Sequence, residues 1–272
     1  MFWWRKPKFR MLWELEQGGR LSWLVGTAHF FPRSFRQSLE RITARASCVL
    51  FEGPLDEAGM QAVVQAGRAG PGEPGLAGLL EPRTLDELAR VLGLDRLGRI
   101  CLRPLGQSPD HPVRALLAGL KPWMGFFTLW TVFLEHQGWR YSVDLEAYRA
   151  ALGQGRPVVF LESIEEQIAV LESLPLERIL KFLDTAREWP DHARSFVRHF
   201  LAGDAAGLPG GASGFPSRTS HVIGERDRIF AQRMAPYLER GGAAVFLGMP
   251  HVLGVSRLLE ESGVTVRRAE PC

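Results

Sequence analysis

Cysteine is scarce: the 272 residues contain three, Cys48, Cys101 and Cys272. They are far apart, odd in number and form no C-x-x-C pair. This excludes a disulfide framework and a zinc knuckle, and fits a reducing, cytoplasmic setting. Cys48 lies in an apolar run and reads as a small core residue. Long apolar runs are also missing. The longest, Trp123 to Leu134, is well short of the roughly 20 residues a bilayer span takes, so it reads as a buried helix. No apolar leader with an A-x-A-like site precedes the first strand, so no signal peptide is expected. Neither charge sign dominates: 33 Lys and Arg face 30 Asp and Glu, a formal net charge of +3. The basic residues are scattered, and nucleic acid is not an expected partner. A Walker A phosphate loop, a G-x-S-x-G elbow and an H-E-x-x-H helix are all absent, which removes three common catalytic frameworks.

What remains is an ordinary globular composition. Hydrophobic residues make up 46% and charged residues 23%, enough to bury a sizeable core and unlike a disordered chain. Residues 1–10 mix aromatic and basic side chains. They suit either weak contact with a membrane surface or packing at the edge of the core.

The pattern predicts strands at 11–16 and 21–25 joined by a turn, then a helix over about 33–46, then a strand at Cys48–Phe51. Residues 55–152 contain helical pieces (84–92, 112–120, 123–137, 143–152) and no convincing strand, so this stretch reads as a helical insertion or lid. A strand at Val158–Leu161 leads into helices at 164–174, 176–188, 190–202 and 220–238. The strand 243–247 precedes a helix over about 252–262 and a terminal strand at 264–266. Short apolar strands without alternation are buried on both faces. The fold class is therefore α/β: a mainly parallel sheet covered by helices, with 1–272 forming one domain.

Four of these strands end in a functional residue: His29, Glu52, Glu162 and His251. Two of the endings share the form Gly-x-x-His, Gly26-Thr27-Ala28-His29 and Gly248-Met249-Pro250-His251. In open α/β sheets ligands bind beyond the carboxyl ends of the strands, so all four groups are expected to converge. Two imidazoles with carboxylates suit a divalent transition metal with a position open for water, and suit general acid–base work without metal. Taken singly, each ending also has a structural reading, as a satisfied histidine or a helix-capping acid. In Gly224-Glu225-Arg226-Asp227-Arg228, Glu225 offers a ligand or base and Arg226 a clamp for a carboxylate or oxyanion. Asp144 precedes a helix and reads as its N-cap.

Gly26-Thr27-Ala28-His29, Phe51-Glu52, Lys121-Pro122-Trp123, Val143-Asp144, Leu161-Glu162-Ser163-Ile164-Glu165-Glu166-Gln167, Gly224-Glu225-Arg226-Asp227 and Gly248-Met249-Pro250-His251-Val252-Leu253-Gly254 occur in that order. The set resembles the TraB/PrgY/GumN family, which includes the Tiki metalloproteases. The resemblance implies an α/β core related to erythromycin esterase-like and ChaN-like proteins. It also implies divalent-metal-dependent peptide cleavage (Mn, Co or Zn), with His29, His251, Glu52 and Glu225 as ligands. Glu52, Glu225 and Arg226 would be the catalytic groups, supported from behind by Asp144, Glu162, Gln167 and Asp227. The chain departs from secreted members in having no signal peptide and from others in having no C-terminal membrane helices. It carries Met249-Pro250 where small residues are usual. The expected substrate is a peptide or small molecule. The alternatives are a metal-independent ester or amide hydrolase with a histidine base, and a non-enzymatic binder of peptide, haem or metal.

Overall fold

A computed structural model describes residues 8–73, 75–94, 111–208 and 214–271, apart from the side chains of residues 220 and 221. Residues 1–7 of the aromatic-basic segment, Cys101, Asp110, Cys272 and the His221 side chain lie outside the described residues. Six strands form one sheet: β1 (Leu12–Gln17), β2 (Arg20–Thr27), β3 (Cys48–Phe51), β4 (Val158–Phe160), β5 (Ala243–Gly248) and β6 (Thr265–Arg268), in the order β4-β3-β5-β2-β1-β6. The pairs β4–β3, β3–β5 and β5–β2 are parallel, whereas β1 runs antiparallel to both β2 and β6. The fold is α/β with a mixed, mostly parallel sheet.

Burial explains why the central strands do not alternate. Leu24, Val25, Val49, Leu50, Phe51 and Ala243 to Leu247 are all buried, covered by helices on both faces. Each large side chain among them contributes about 1.5–3 kcal/mol on burial. β4 departs from expectation: Val158, Val159 and Phe160 are only half-buried, because β4 is an edge strand paired on one side. Cys48, at the start of β3, is likewise half-buried, with a free thiol.

Helices α1 (Arg36–Arg45), α2 (Glu57–Ala66), α3 (Pro82–Val91), α4 (Pro112–Leu117), α5 (Pro122–His136) and α6 (Val143–Gly153) precede β4. Between β4 and β5 come α7 (Ile164–Glu172), α8 (Leu176–Leu183), α9 (Trp189–Ala202) and α10 (Ser220–Arg240), and α11 (Met249–Glu261) follows β5. The described part of 55–152 is helical, with two isolated β-bridges. The helical cover is not confined to that stretch. α5 packs its aromatic face on α8 and α9, with Trp130 5.6 Å from Phe182 and 5.2 Å from Trp189 between ring centroids.

Two local expectations change. α6 is capped by Ser142, whose hydroxyl accepts the Leu145 N–H at 3.1 Å, and not by Asp144, which is already one residue inside the helix. α11 starts at Met249, three residues before the expected start. Pro250 therefore lies inside the helix. It occupies the first turn of a helix, where a missing N–H leaves nothing unpaired, and His251 projects from that same turn.

Candidate functional site

The parallel strands end side by side. β2 stops at Thr27, two residues before His29, and β3 stops next to Glu52. β4 stops two residues before Glu162, and β5 runs into the turn that carries His251. After β3 the chain continues to β4, and after β5 to β6, at opposite edges of the sheet. That is a topological switch point, where a crevice opens between strand ends. Glu52 and His251 stand on its two sides.

Arg226, in the second turn of α10, joins them. Its Nε and Nη2 donate to the two oxygens of Glu162 at 3.0 and 2.7 Å. Nη2 also donates to Glu52 Oε2 at 3.1 Å, and Nη1 donates to His251 Nε2 at 3.0 Å. A guanidinium can only donate, so His251 Nε2 must offer a lone pair. The ring proton is then on Nδ1 and is donated to Asp227 Oδ1 at 2.6 Å. Phe230 lies beneath both groups, its ring 5.0 Å from the guanidinium carbon and 5.1 Å, edge-on, from the imidazole. Four of the five N–H bonds of Arg226 are engaged. The fifth, on Nη1, belongs to a side chain that lines a largely aromatic cavity.

Local helix chemistry holds Glu162 in place. Ser163 and Glu166 form a capping box at the start of α7. Arg233, two turns further along the same face of α10 as Arg226, donates to the Leu161 carbonyl at 2.6 Å and to both oxygens of Glu166 at 2.6 Å. The Leu161-to-Gln167 motif thus clamps β4 to α10 and presents Glu162 to Arg226.

The cluster holds more carboxylate than cation. Burial pushes Glu52 up, but His251 when charged, Arg226, His29 and the Gly248 N–H, 2.5 Å from Oε1, together hold it below the usual carboxylate range. For Glu162 burial wins over Arg226, and its carboxyl is raised. Burial opposes the charge on Arg226, yet Glu52 and Glu162 outweigh it and keep the guanidinium charged. One guanidinium does not fully compensate two buried carboxylates, and the deficit falls on Glu162.

His29 stands apart, its side chain 67% exposed at the cavity mouth and its Nδ1 3.1 Å from the buried Asp144 Oδ2. The contact is an ion pair when the imidazole is charged. Asp144 raises the imidazole pKa from 6.5 to about 9. Burial and Arg226 oppose this, and Glu52 adds to it. Water on the exposed side of the ring screens the attraction.

Of the residues singled out in the sequence, His29, Glu52, Gln167, Arg226 and His251 line one cavity of about 450 Å³. Glu162, Asp227 and Asp144 back it. Glu225 is not brought in: it is exposed on α10 and does not line the cavity. The rest of the wall is largely aromatic and apolar, and includes Trp123, Phe127, Trp130 and Phe196. The sequence marked the 123–134 run as buried but gave no sign that it faces a void. Thr27 Oγ1 and Trp123 Nε1, buried in this wall, have no hydrogen-bond partner among the described residues.

The donor types suit a borderline divalent ion, but their arrangement does not. Arg226 already fills the space between Glu52, Glu162 and His251 and takes the lone pair of His251 Nε2. Among the described residues no group of three or more His, Cys, Asp and Glu side chains is disposed to hold an ion.

The chain is an α/β protein with an arginine-bridged cluster of imidazole and carboxylate at the switch point of its sheet, the place where open α/β sheets bind ligands. The chain belongs to the TraB/PrgY/gumN family, whose model matches residues 11–268. No curated protein and no solved structure matches it. Among the described residues no helix is long and apolar enough to cross a membrane.

Proposed function

We propose that the protein is a hydrolase that cleaves an ester or amide by direct attack of water, with His29 as general base. The observation that carries this reading is the His29–Asp144 pair. A basic imidazole, steadied by a buried carboxylate, stands at the mouth of a cavity whose inner wall carries a charged guanidinium. In its neutral form His29 takes a proton from water as the water oxygen bonds to the carbonyl carbon. Asp144 stabilises the imidazolium that forms. The remaining N–H of Arg226 faces the carbonyl oxygen as negative charge develops on it. The C–O or C–N bond then breaks, and the imidazolium returns its proton to the leaving group. The products are a carboxylic acid and an alcohol or amine. Glu52, Glu162 and the Asp227–His251 pair fix Arg226.

A second reading has the same substrates hydrolysed with a bound divalent metal. It is favoured by the carboxylate at Nδ1 of each imidazole, the usual way a metal-binding histidine is oriented. It requires Arg226 to leave His251 Nε2, after which Glu52 and His251 would be ligands. One experiment separates the two. The purified protein is stripped with chelator, its metal content measured, and turnover assayed on a panel of esters and amides. Full activity in stripped protein supports water attack by His29. Activity that vanishes and returns with Mn, Co or Zn supports the metal reading. A fully folded protein inactive across the panel under both conditions refutes both and leaves a ligand-binding protein.

A further inference from the structure

His29 lines two cavities, not one. Beside the apolar cavity lies a cleft of about 590 Å³, with charged side chains in a mixed wall, formed by the end of α5, the connection to α6 and α6 itself. His29, Phe30 and Trp139 belong to both walls, so the two spaces adjoin at these side chains. The second is the less apolar of the two. Met124, Phe127, Trp130, Val170 and Phe196 help make the first wall apolar. At about 30 Å³ per water-sized unit, its 450 Å³ holds about 15 such units, the size of a medium-length alkyl chain. The second presents two exposed guanidiniums, Arg140 and Arg149, with Glu135 and Glu146. Glu146 is engaged, accepting the Phe35 N–H at 2.9 Å.

We infer that the substrate is an acyl amide or ester with a carboxylate-bearing head, of the N-acyl amino acid type. This rests on the hydrolase reading for its chemistry but not for its binding geometry. The acyl chain enters the apolar cavity, and the head lies in the cleft with its carboxylate on Arg140 and Arg149. The bond that joins them falls beside His29, where the spaces adjoin, with its carbonyl oxygen toward Arg226. A substrate apolar throughout would leave the arginine-lined cleft unused, and one polar throughout would leave the aromatic wall wet.

The test measures binding and turnover separately. The probe is N-dodecanoylglycine, with N-acetylglycine (head without chain) and dodecanamide (chain without head) as controls, titrated against the full chain by calorimetry. The long acylglycine should bind at least about tenfold more tightly than either control. Thr131→Phe, which fills the cavity from α5, should weaken it by about tenfold, with Val170→Phe on α7 as the alternative should the first variant not fold. Arg149→Glu should weaken the acylglycine by about tenfold and leave dodecanamide unchanged. Binding of this pattern without release of glycine keeps the inference and refutes the hydrolase reading. Hydrolysis of acetyl esters with no gain from a longer chain, or acylglycine binding that ignores both substitutions, overturns the inference and leaves the hydrolase reading standing.

Discussion

Arg226→Met removes the one cation shared by Glu52 and Glu162, whose side chains are 12% and 3% exposed. Four donated hydrogen bonds disappear together. Deleting one partner of a buried ion pair costs about 3–5 kcal/mol, because the remaining charge stays buried and uncompensated. The same range is expected here near pH 7.5. The loss should depend on pH, and its sign follows from the carboxylates left behind. Without the guanidinium their folded pKa rises above the unfolded value, so they favour the folded state below about 4.3 and penalise it increasingly as pH rises toward the folded pKa. Glu162, already raised by burial, should lead. For one such group the gap to the unsubstituted protein narrows by up to about 1.4 kcal/mol for each pH unit on going down from about 7.5 to 5. Urea unfolding followed by far-ultraviolet circular dichroism at both pH values measures the gap. Adding Glu162→Met to Arg226→Met should recover a large part of the loss, since an apolar pair of similar volume replaces an isolated charge. A gap below about 1 kcal/mol, or one equal at both pH values, would refute the idea that Arg226 is the charge that holds the cluster together.

Other consequences can be checked in the same protein. The His29 ring protons should titrate well above the ordinary 6.5 and at most near 9 by NMR, and kcat/KM should climb through the same pH range; Asp144→Asn should move both inflections down together. A kcat/KM that is flat between about pH 6 and 9 removes His29 as the base. Gly254→Ala places a methyl group 1.9 Å from Asp227 Oδ2 on the facing helix, so it should loosen the Asp227–His251 bond, destabilise by about 1–3 kcal/mol and lower turnover. Gly26→Ala brings its methyl to within 2.3 Å of the Met249 sulfur. Thioether flexibility makes it the milder of the two, to be compared by thermal melting. Phe230→Ala empties the space beneath Arg226 and His251 and should cost about 3–5 kcal/mol in chemical denaturation.

How far the sequence led depends on what each residue does locally. The parallel strands were legible because a strand covered on both faces must be apolar throughout, and 48–51 and 243–247 are. Their meeting at one edge followed from topology, so His29, Glu52 and His251 could be placed near one another without coordinates. The roles were not legible, because they depend on which side chain reaches which. Asp144 has a capping residue's chemistry and precedes the expected helix, and only the Ser142 bond shows that the cap lies two residues earlier and that the carboxylate, inside α6, is available to His29. Glu225 and Arg226 are neighbours on α10 and point about 100° apart on a helical wheel, so a linear motif cannot say which one enters the site; the sequence offered both, and the structure brings in Arg226. The aromatic cavity was hidden for a similar reason. A run such as Trp123 to Leu134 is equally apolar whether it packs on solid core or lines a void.

These two blind spots bear on the metal question in the same way. A set of two imidazoles and several carboxylates reads as a ligand set when charges are counted along the chain. Counted in space, the set already includes a cation fixed by four hydrogen bonds. Replacing it with a divalent ion would add one positive charge to a cluster short of positive charge, which Coulomb attraction favours, but would leave Arg226 to find new partners in a mostly apolar wall. The balance is testable in one variant: Arg226→Gln keeps some of the hydrogen bonds and removes the charge. If the site is by design metal-free, that variant should lose turnover at every metal concentration. If the guanidinium is only a placeholder, the variant should bind Zn or Mn more tightly than the unsubstituted chain and keep activity when loaded, a result that would replace Arg226 with the ion as the group facing the substrate oxygen.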